Sequence, residues 1–173
     1  FELGLIRNHY VGRTFIEPSQ KIRSLGVKLK LNATQTLVKN KSIILIDDSL
    51  VRGTTCLKIV KMLYDVGAKE VHVRIACPEI LFPDFYGIDM PTKKELLAYG
   101  RTNQEMCDYI NAKTLKFLSL HGLYKALGFK ERNKLNPQLS DHFFTGEYPI
   151  EPIDLLGEGK ISQLSLLSSK SNN

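Results

Sequence analysis

The stretch from Ile43 to Thr55, Ile-Ile-Leu-Ile-Asp-Asp-Ser-Leu-Val-Arg-Gly-Thr-Thr, constrains the fold of this chain more than any other. Four consecutive aliphatic residues predict a parallel strand buried on both faces, whereas two carboxylates at its carboxyl end are at odds with burial. The strand is therefore expected to emerge at a site. Ser49 to Thr55 then supply small residues, hydroxyls and one conformationally free glycine just ahead of an apolar-periodic run. Backbone N–H groups there can converge on an anion at a helix N-terminus. Carboxylates beside such a cradle point to a ligand that carries both hydroxyls and phosphate. A capping role for Asp47 and Asp48 fits poorly, because six residues separate Asp48 from Thr55.

Cys56, Ile59, Val60 and Leu63 recur at helical spacing, with Thr54 or Thr55 as N-cap and Gly67 as the stop. Val71 to Ala76 reads as the next strand. Strand, helix and strand in this order form a βαβ unit, which requires a parallel sheet and a right-handed crossover. Upstream, Phe1 to Ile6 reads as a strand already under way without an initiator Met, so the chain is expected to be a fragment. A loop over 7–18, a short polar helix over 20–25 and a short strand over 27–31 follow. Downstream, Thr92-Lys93-Lys94-Glu95 has capping-box spacing and predicts a helix through Leu96, Leu97 and Ala98. A helix over 103–111, a β-like run over 115–120 and a closing helix over 121–127 complete the periodic part. From Gly128 the periodicity fades. The division expected is a domain over 1–127, an extension over 128–160 and a disordered tail over 161–173.

At 173 residues the chain is of ordinary single-domain size. No apolar stretch approaches the ~20 residues of a membrane span, and no signal-peptide pattern opens the chain, so a cytoplasmic location is expected. Cys56, Cys77 and Cys107 are odd in number, widely spaced and set in apolar-periodic segments, as buried thiols are. His9, His72, His121 and His142 lack ligand spacing and read as surface or packing residues. Glu79 faces either a substrate or solvent. Residues 1–41 carry eight basic residues against two acidic ones, the whole of the net charge of +6. Charge alone leaves open nucleic acid, a polyphosphate ligand or a solvated face.

Taken together, the acidic pair, the glycine and the hydroxyls resemble the phosphoribosyl-pyrophosphate motif of type I phosphoribosyltransferases at all thirteen positions. A Walker loop would end in glycine, lysine and a hydroxyl residue, and a dinucleotide fingerprint would carry three spaced glycines. Salvage members of the superfamily usually place a small or acidic residue before the glycine. The variant with Val51-Arg52-Gly53-Thr54-Thr55 instead resembles the glutamine amidophosphoribosyltransferases of purine synthesis. A second block, Arg7 to Ile16, is similar to that family's flexible loop, with Arg7 and His9 where Lys and Arg are more typical. Lys28 to Asn32, Ala76 to Pro83 and Phe85 to Pro91 fit the same family. The resemblance thus runs from Phe1 to about Pro149 and leaves the tail unmatched.

The resemblance implies an α/β fold of the type I phosphoribosyltransferase kind, a parallel sheet flanked by helices with a mobile lid loop. It implies a C-terminal piece of an enzyme that transfers glutamine-derived ammonia to phosphoribosyl pyrophosphate, inactive by itself. In that reading Asp47 and Asp48 are catalytic, holding the ribose hydroxyls and Mg²⁺. Ser49, Val51, Arg52, Gly53, Thr54 and Thr55 bind substrate around the 5-phosphate, and Tyr10, Arg13 and Ile16 belong to the lid. Ammonia comes from a glutaminase domain outside this chain, and the full-length enzyme is a homo-oligomer without nucleic-acid or membrane partners. Members with an iron–sulfur cluster place a cysteine where this chain has Asp84, and a Cys-x-x-Cys near Phe-Thr-Gly. The last cysteine is Cys107, so none lies near Phe144-Thr145-Gly146, and no cluster is expected. Two other functions stay open: a regulatory DNA-binding protein that senses phosphoribosyl pyrophosphate, and a salvage phosphoribosyltransferase.

Overall fold

The computed structural model describes residues 2–7, 31–88 and 92–150. Strands β1 (Leu5–Arg7) and β2 (Leu31–Ala33) pair antiparallel, with Leu5 opposite Ala33. A single helical turn, α1 (Gln35–Val38), leads into β3 (Ser42–Asp47), helix α2 (Thr54–Asp65) and β4 (Glu70–Ile75). Helix α3 (Asn103–Tyr109) and β5 (Thr114–Phe117) follow, and then α4 (Leu120–Ala126) and the short α5 (His142–Thr145). Strands β3, β4 and β5 form a parallel sheet in that spatial order. This is the predicted βαβ unit, extended by a second one.

Right-handed crossovers explain which face of the sheet is covered. The strands progress in one direction, so a right-handed connection lays α2 and α3 on the same side. Val71, Val73, Ile75 and Leu115 point to that side and form one core with Ile59, Val60 and Leu63 of α2 and Met106, Cys107 and Ile110 of the α3 region. Ile43 and Leu45 pack on it as well. Their alternates Ile44 and Ile46 are 64% and 65% exposed. Burial of β3 on both faces, as four aliphatic residues in a row predict, is therefore not met among the described residues: the strand is an edge and its helices lie on one side only.

Helix boundaries differ from the sequence reading at two points. The N-cap of α2 is Gly53, at φ 74°, not Thr54 or Thr55. Both threonines lie inside the first turn. The stop is as predicted, with Gly67 at φ 97° just beyond the C-cap Val66. At Thr92 the capping box forms, but it opens only a 3₁₀ turn over Lys93–Glu95, and Leu96 is already extended. The predicted helix through Ala98 does not form because the Leu97 N–H bonds to the Val51 carbonyl at 2.7 Å, and the chain turns inward to bury Leu96, Leu97 and Ala98.

Beyond α4, side-chain bonding replaces helical periodicity. Two adjacent residues of the α5 region face two different partners. Asp141 accepts hydrogen bonds from the Tyr124 hydroxyl at 2.7 Å and from Arg132 Nε and Nη2, and the same Nη2 engages Glu147 at 2.7 Å. His142 meets Asp84 at 2.8 Å, with both side chains buried, and Asp84 also accepts from the N–H groups of Tyr86 and Ile88. The Phe143 carbonyl accepts from Leu81 and Phe82 N–H at 2.8 and 3.0 Å, and the Tyr148 hydroxyl donates to the Pro83 carbonyl. Residues 128–150 are thereby bound to the connection that follows β4.

Burial pushes both carboxyls upward, but their hydrogen bonds outweigh it. For Asp84 these come from Ile88, His142 and Tyr86, and for Asp141 from Arg132 and Tyr124, so both lie below the ordinary carboxylate value. A depressed folded-state pKa stabilises above the unfolded value and is lost as pH falls through the folded one. The melting temperature is therefore expected to fall as pH drops below about 4, the ordinary carboxylate range. Asp141→Ala, which removes the buried partner of Arg132 and leaves it the exposed Glu147 alone, is expected to cost about 3–5 kcal/mol at neutral pH in urea denaturation.

Candidate functional site

The carboxyl end of β3 turns directly into the loop that starts α2, so the residues from Asp47 to Thr55 are held between a strand of the sheet and a helix packed on it. Asp48 N–H donates to Asp47 Oδ1 at 3.1 Å, and Ser49 N–H donates to Asp48 Oδ1 at 2.7 Å. The second oxygen of each carboxylate accepts no hydrogen bond from the described residues, and no described cation pairs with either. Burial raises the pKa of Asp47; the Asp48 N–H opposes this and the Asp48 charge adds to it. Two adjacent carboxylates with free hard oxygens and an unrelieved mutual repulsion fit a divalent cation of the Mg²⁺ type or the hydroxyls of a ligand.

Past the carboxylates, the backbone leaves a run of donors unpaired among the described residues. Gly53 caps α2 without a side-chain bond, and its carbonyl accepts from Leu57 N–H at 2.9 Å as the first helical bond. The N–H groups of Val51, Arg52, Gly53, Thr54 and Thr55 bond to nothing among the described residues. They are the unpaired donors of a helix start with a preceding turn, the arrangement that takes a phosphate. Asp47, Asp48, Ser49, Val51, Arg52, Gly53, Thr54 and Thr55 are thus continuous in one loop. Tyr10, Arg13 and Ile16 lie outside the described residues.

Sequence reading missed what stands behind the loop. The Leu97 N–H holds the Val51 carbonyl, and Glu95 lies 3.5 Å from the Arg52 guanidinium. A Cβ on Gly53 would come within 2.8 Å of Leu97 Cδ2 and 3.0 Å of Tyr109 Cε1. The glycine is therefore required by packing and by its positive φ, whatever the loop binds. Only the capping box at Thr92 hinted that this segment is structured. Glu79 lines a cavity of about 460 Å³ with Asn103, Lys116, Ser119 and Phe144, none of them from the loop.

The three thiols are unreactive by environment. Burial, reinforced by the Asp47 charge, pushes Cys56 up to about 12. Burial also raises Cys77, against a backbone bond from Leu50 and with Asp48 and Asp47 adding to it. Cys107 is raised by burial and by Asp108. At neutral pH all are protonated and poor nucleophiles.

A parallel βαβ unit whose first strand ends in an acidic pair, and whose loop leads unpaired N–H groups into a helix, is the arrangement of a type I phosphoribosyltransferase fold. No protein-family model matches the chain. It is 55% identical over 170 residues to an amidophosphoribosyltransferase of Rhizobium etli, an alignment of 98% of this chain and 34% of that protein. It is 50% identical over 149 residues to the Staphylococcus aureus (strain Mu50) amidophosphoribosyltransferase, covering 86% of this chain and 30% of the relative. With the chloroplastic amidophosphoribosyltransferase 2 of Arabidopsis thaliana the identity is 49% over 154 residues, covering 89% and 27%. The solved glutamine phosphoribosylpyrophosphate amidotransferase from B. subtilis, complexed with ADP and GMP, superimposes with a TM-score of 0.71 at 50% identity, covering 86% of this chain and 32% of that one. The chain belongs to the amidophosphoribosyltransferase family and spans about a third of the length of these relatives. The Rhizobium etli alignment also reaches beyond Pro149, into the tail that the resemblance left unmatched.

The position of Gly53 gives a stability prediction. Gly53→Ala meets both a disfavoured φ and the Leu97 and Tyr109 side chains, and is expected to lose about 1–3 kcal/mol in urea denaturation. An unchanged midpoint would mean that the loop is not held against that wall.

Proposed function

We propose that this chain supplies the phosphoribosyl-pyrophosphate site of an amidophosphoribosyltransferase, which transfers glutamine-derived ammonia to the sugar to give 5-phosphoribosylamine, glutamate and pyrophosphate in the first step of purine synthesis. The observation that carries this reading is the continuity of the acidic pair with five free backbone donors at the start of α2. Pyrophosphate, the sugar hydroxyls and the 5-phosphate present one ligand with needs that these two halves of the loop meet in order.

Asp47 and Asp48 would accept the ribose hydroxyls and hold Mg²⁺ through their free oxygens. Bound there, the ion would neutralise the leaving pyrophosphate. The N–H groups from Val51 to Thr55, with the Thr54 and Thr55 hydroxyls, would bind the 5-phosphate; Ser49 and Arg52 flank it. As the bond to pyrophosphate breaks, positive charge grows on the sugar ring, and fixed carboxylates beside it stabilise the transition state more than the ground state. Water competes with ammonia for the same carbon, so the site must be closed during reaction. On sequence grounds alone, Tyr10, Arg13 and Ile16 are assigned to a lid that performs this closure.

Glutamine hydrolysis is assigned to a glutaminase region outside this chain. We further infer a homo-oligomeric, cytoplasmic enzyme without nucleic-acid partners. Among the described residues no helix is long and apolar enough to cross a membrane. No iron–sulfur cluster is proposed, since Asp84 is committed to His142 and the stretch before Phe144 carries no cysteine.

Calorimetry on the intact protein tests the site. Phosphoribosyl pyrophosphate with Mg²⁺ is expected to bind, and Asp47→Asn combined with Asp48→Asn to weaken it by about a hundredfold or more, from two charged contacts worth ~1.5–3 kcal/mol each. Unchanged affinity would remove the hydroxyl and metal roles. Pyrophosphate release that depends on ammonia, and not on a purine or pyrimidine base, separates this reading from salvage. Hydrogen exchange tests the lid: Tyr10 to Ile16 should gain protection when substrate binds, and equal protection in both states would dismiss it.

A further inference from the structure

We propose that Arg101 is a positioning residue for the phosphate-binding loop, acting through Leu97 and Tyr109; this rests on the reading of the loop given above. Two residues form the wall behind that loop. Leu97 touches it twice, by its N–H to the Val51 carbonyl at 2.7 Å and by its side chain against the bare face of Gly53. Tyr109, the last residue of α3, presents its ring to the same face of Gly53. The two come from different elements, an extended segment and a helix end, and Arg101 is the residue that joins them. Its Nη1 donates to the Leu97 carbonyl at 3.0 Å, and its guanidinium lies 5.7 Å from the centre of the Tyr109 ring.

The planar guanidinium can make the edge-on hydrogen bond and the stacking contact at once, because its donors lie in the plane and its face is left for the ring. Leu97 is 2% exposed and closely packed, so a shift at its carbonyl is passed through its Cα to the N–H that holds Val51. With Arg101 in place, the Val51 carbonyl is fixed from behind, and the turn that carries the unpaired N–H groups after it is held in one position. Without it, the Leu97 peptide and the Tyr109 ring lose their common tie, and the donors at 51–55 must be ordered by the ligand itself. Affinity for the 5-phosphate then falls while the carboxylate side of the site is untouched.

Calorimetry on the intact protein with three probes tests this: ribose 5-phosphate, phosphoribosyl pyrophosphate with Mg²⁺, and pyrophosphate with Mg²⁺. Arg101→Ala is expected to weaken the first two by the same factor, about tenfold to a hundredfold, and to leave pyrophosphate binding as it was. Arg101→Lys, which keeps a charge and one donor, should recover most of the affinity. Arg101→Gln, which keeps a donor without the charge, should fall between and serves if the alanine variant does not fold. Unchanged ribose 5-phosphate affinity overturns the proposal, as does an equal loss for pyrophosphate, which a general loosening of the domain would cause. Wild-type protein that binds neither phosphorylated sugar refutes the functional reading, and the role of Arg101 falls with it.

Discussion

One hydrogen bond, from the Leu97 N–H to the Val51 carbonyl, makes the long connection between β4 and β5 part of the site. It stops the helix that the Thr92 capping box begins, turns Leu96 to Ala98 into the interior, and sets Leu97 against Gly53. The loop after β3 therefore has a floor. A loop of small residues with unpaired donors would lose more order on its own than phosphate contacts could restore, so a fixed backing is what lets it be open and rigid together.

A second constraint acts on the other end of that connection. Asp84 receives three hydrogen bonds, two from its own turn and one from His142, 58 residues later in the chain. Asp141 next to it is held by Arg132 and Tyr124. A buried, hydrogen-bonded polar pair adds little net stability relative to an apolar contact of the same shape, but it tolerates only one register. Here it decides which turn of the C-terminal segment lies against Phe82 and Pro83, where apolar residues alone would have allowed several. Lys93 lies 4.9 Å from the centre of the Phe82 ring, so this segment also touches the turn that precedes Leu97.

The strand, the helix after it and the acidic loop were legible because each is local: a run of aliphatic residues, a 3.6-residue period, and a cluster of carboxylates, glycine and hydroxyls that no core would select. Two features were misread for lack of long-range information. Ile44 and Ile46 have the composition of a doubly covered strand, yet which side is covered depends on the order of strands, and sequence periodicity does not report it. The turn at Thr92 carries a correct start signal, but its length is set by the bond from Leu97 to Val51, 46 positions earlier than Leu97. Tyr109 and His142 carried no local mark at all, since each meets a residue distant in sequence, Gly53 and Asp84, and Arg101 reaches the loop only through Leu97 and Tyr109.

The apolar pair on β3 has a further consequence. Among the described residues β3 is an edge of the sheet, and beside its outward-facing isoleucines runs a row of main-chain donors and acceptors with no neighbouring strand. Such an edge is a template for any extended segment that comes within reach. The described residues taken alone are thus sticky along one side. A protein that keeps this strand must cover that side as it folds, so the step that completes the sheet next to β3 also separates productive folding from self-association.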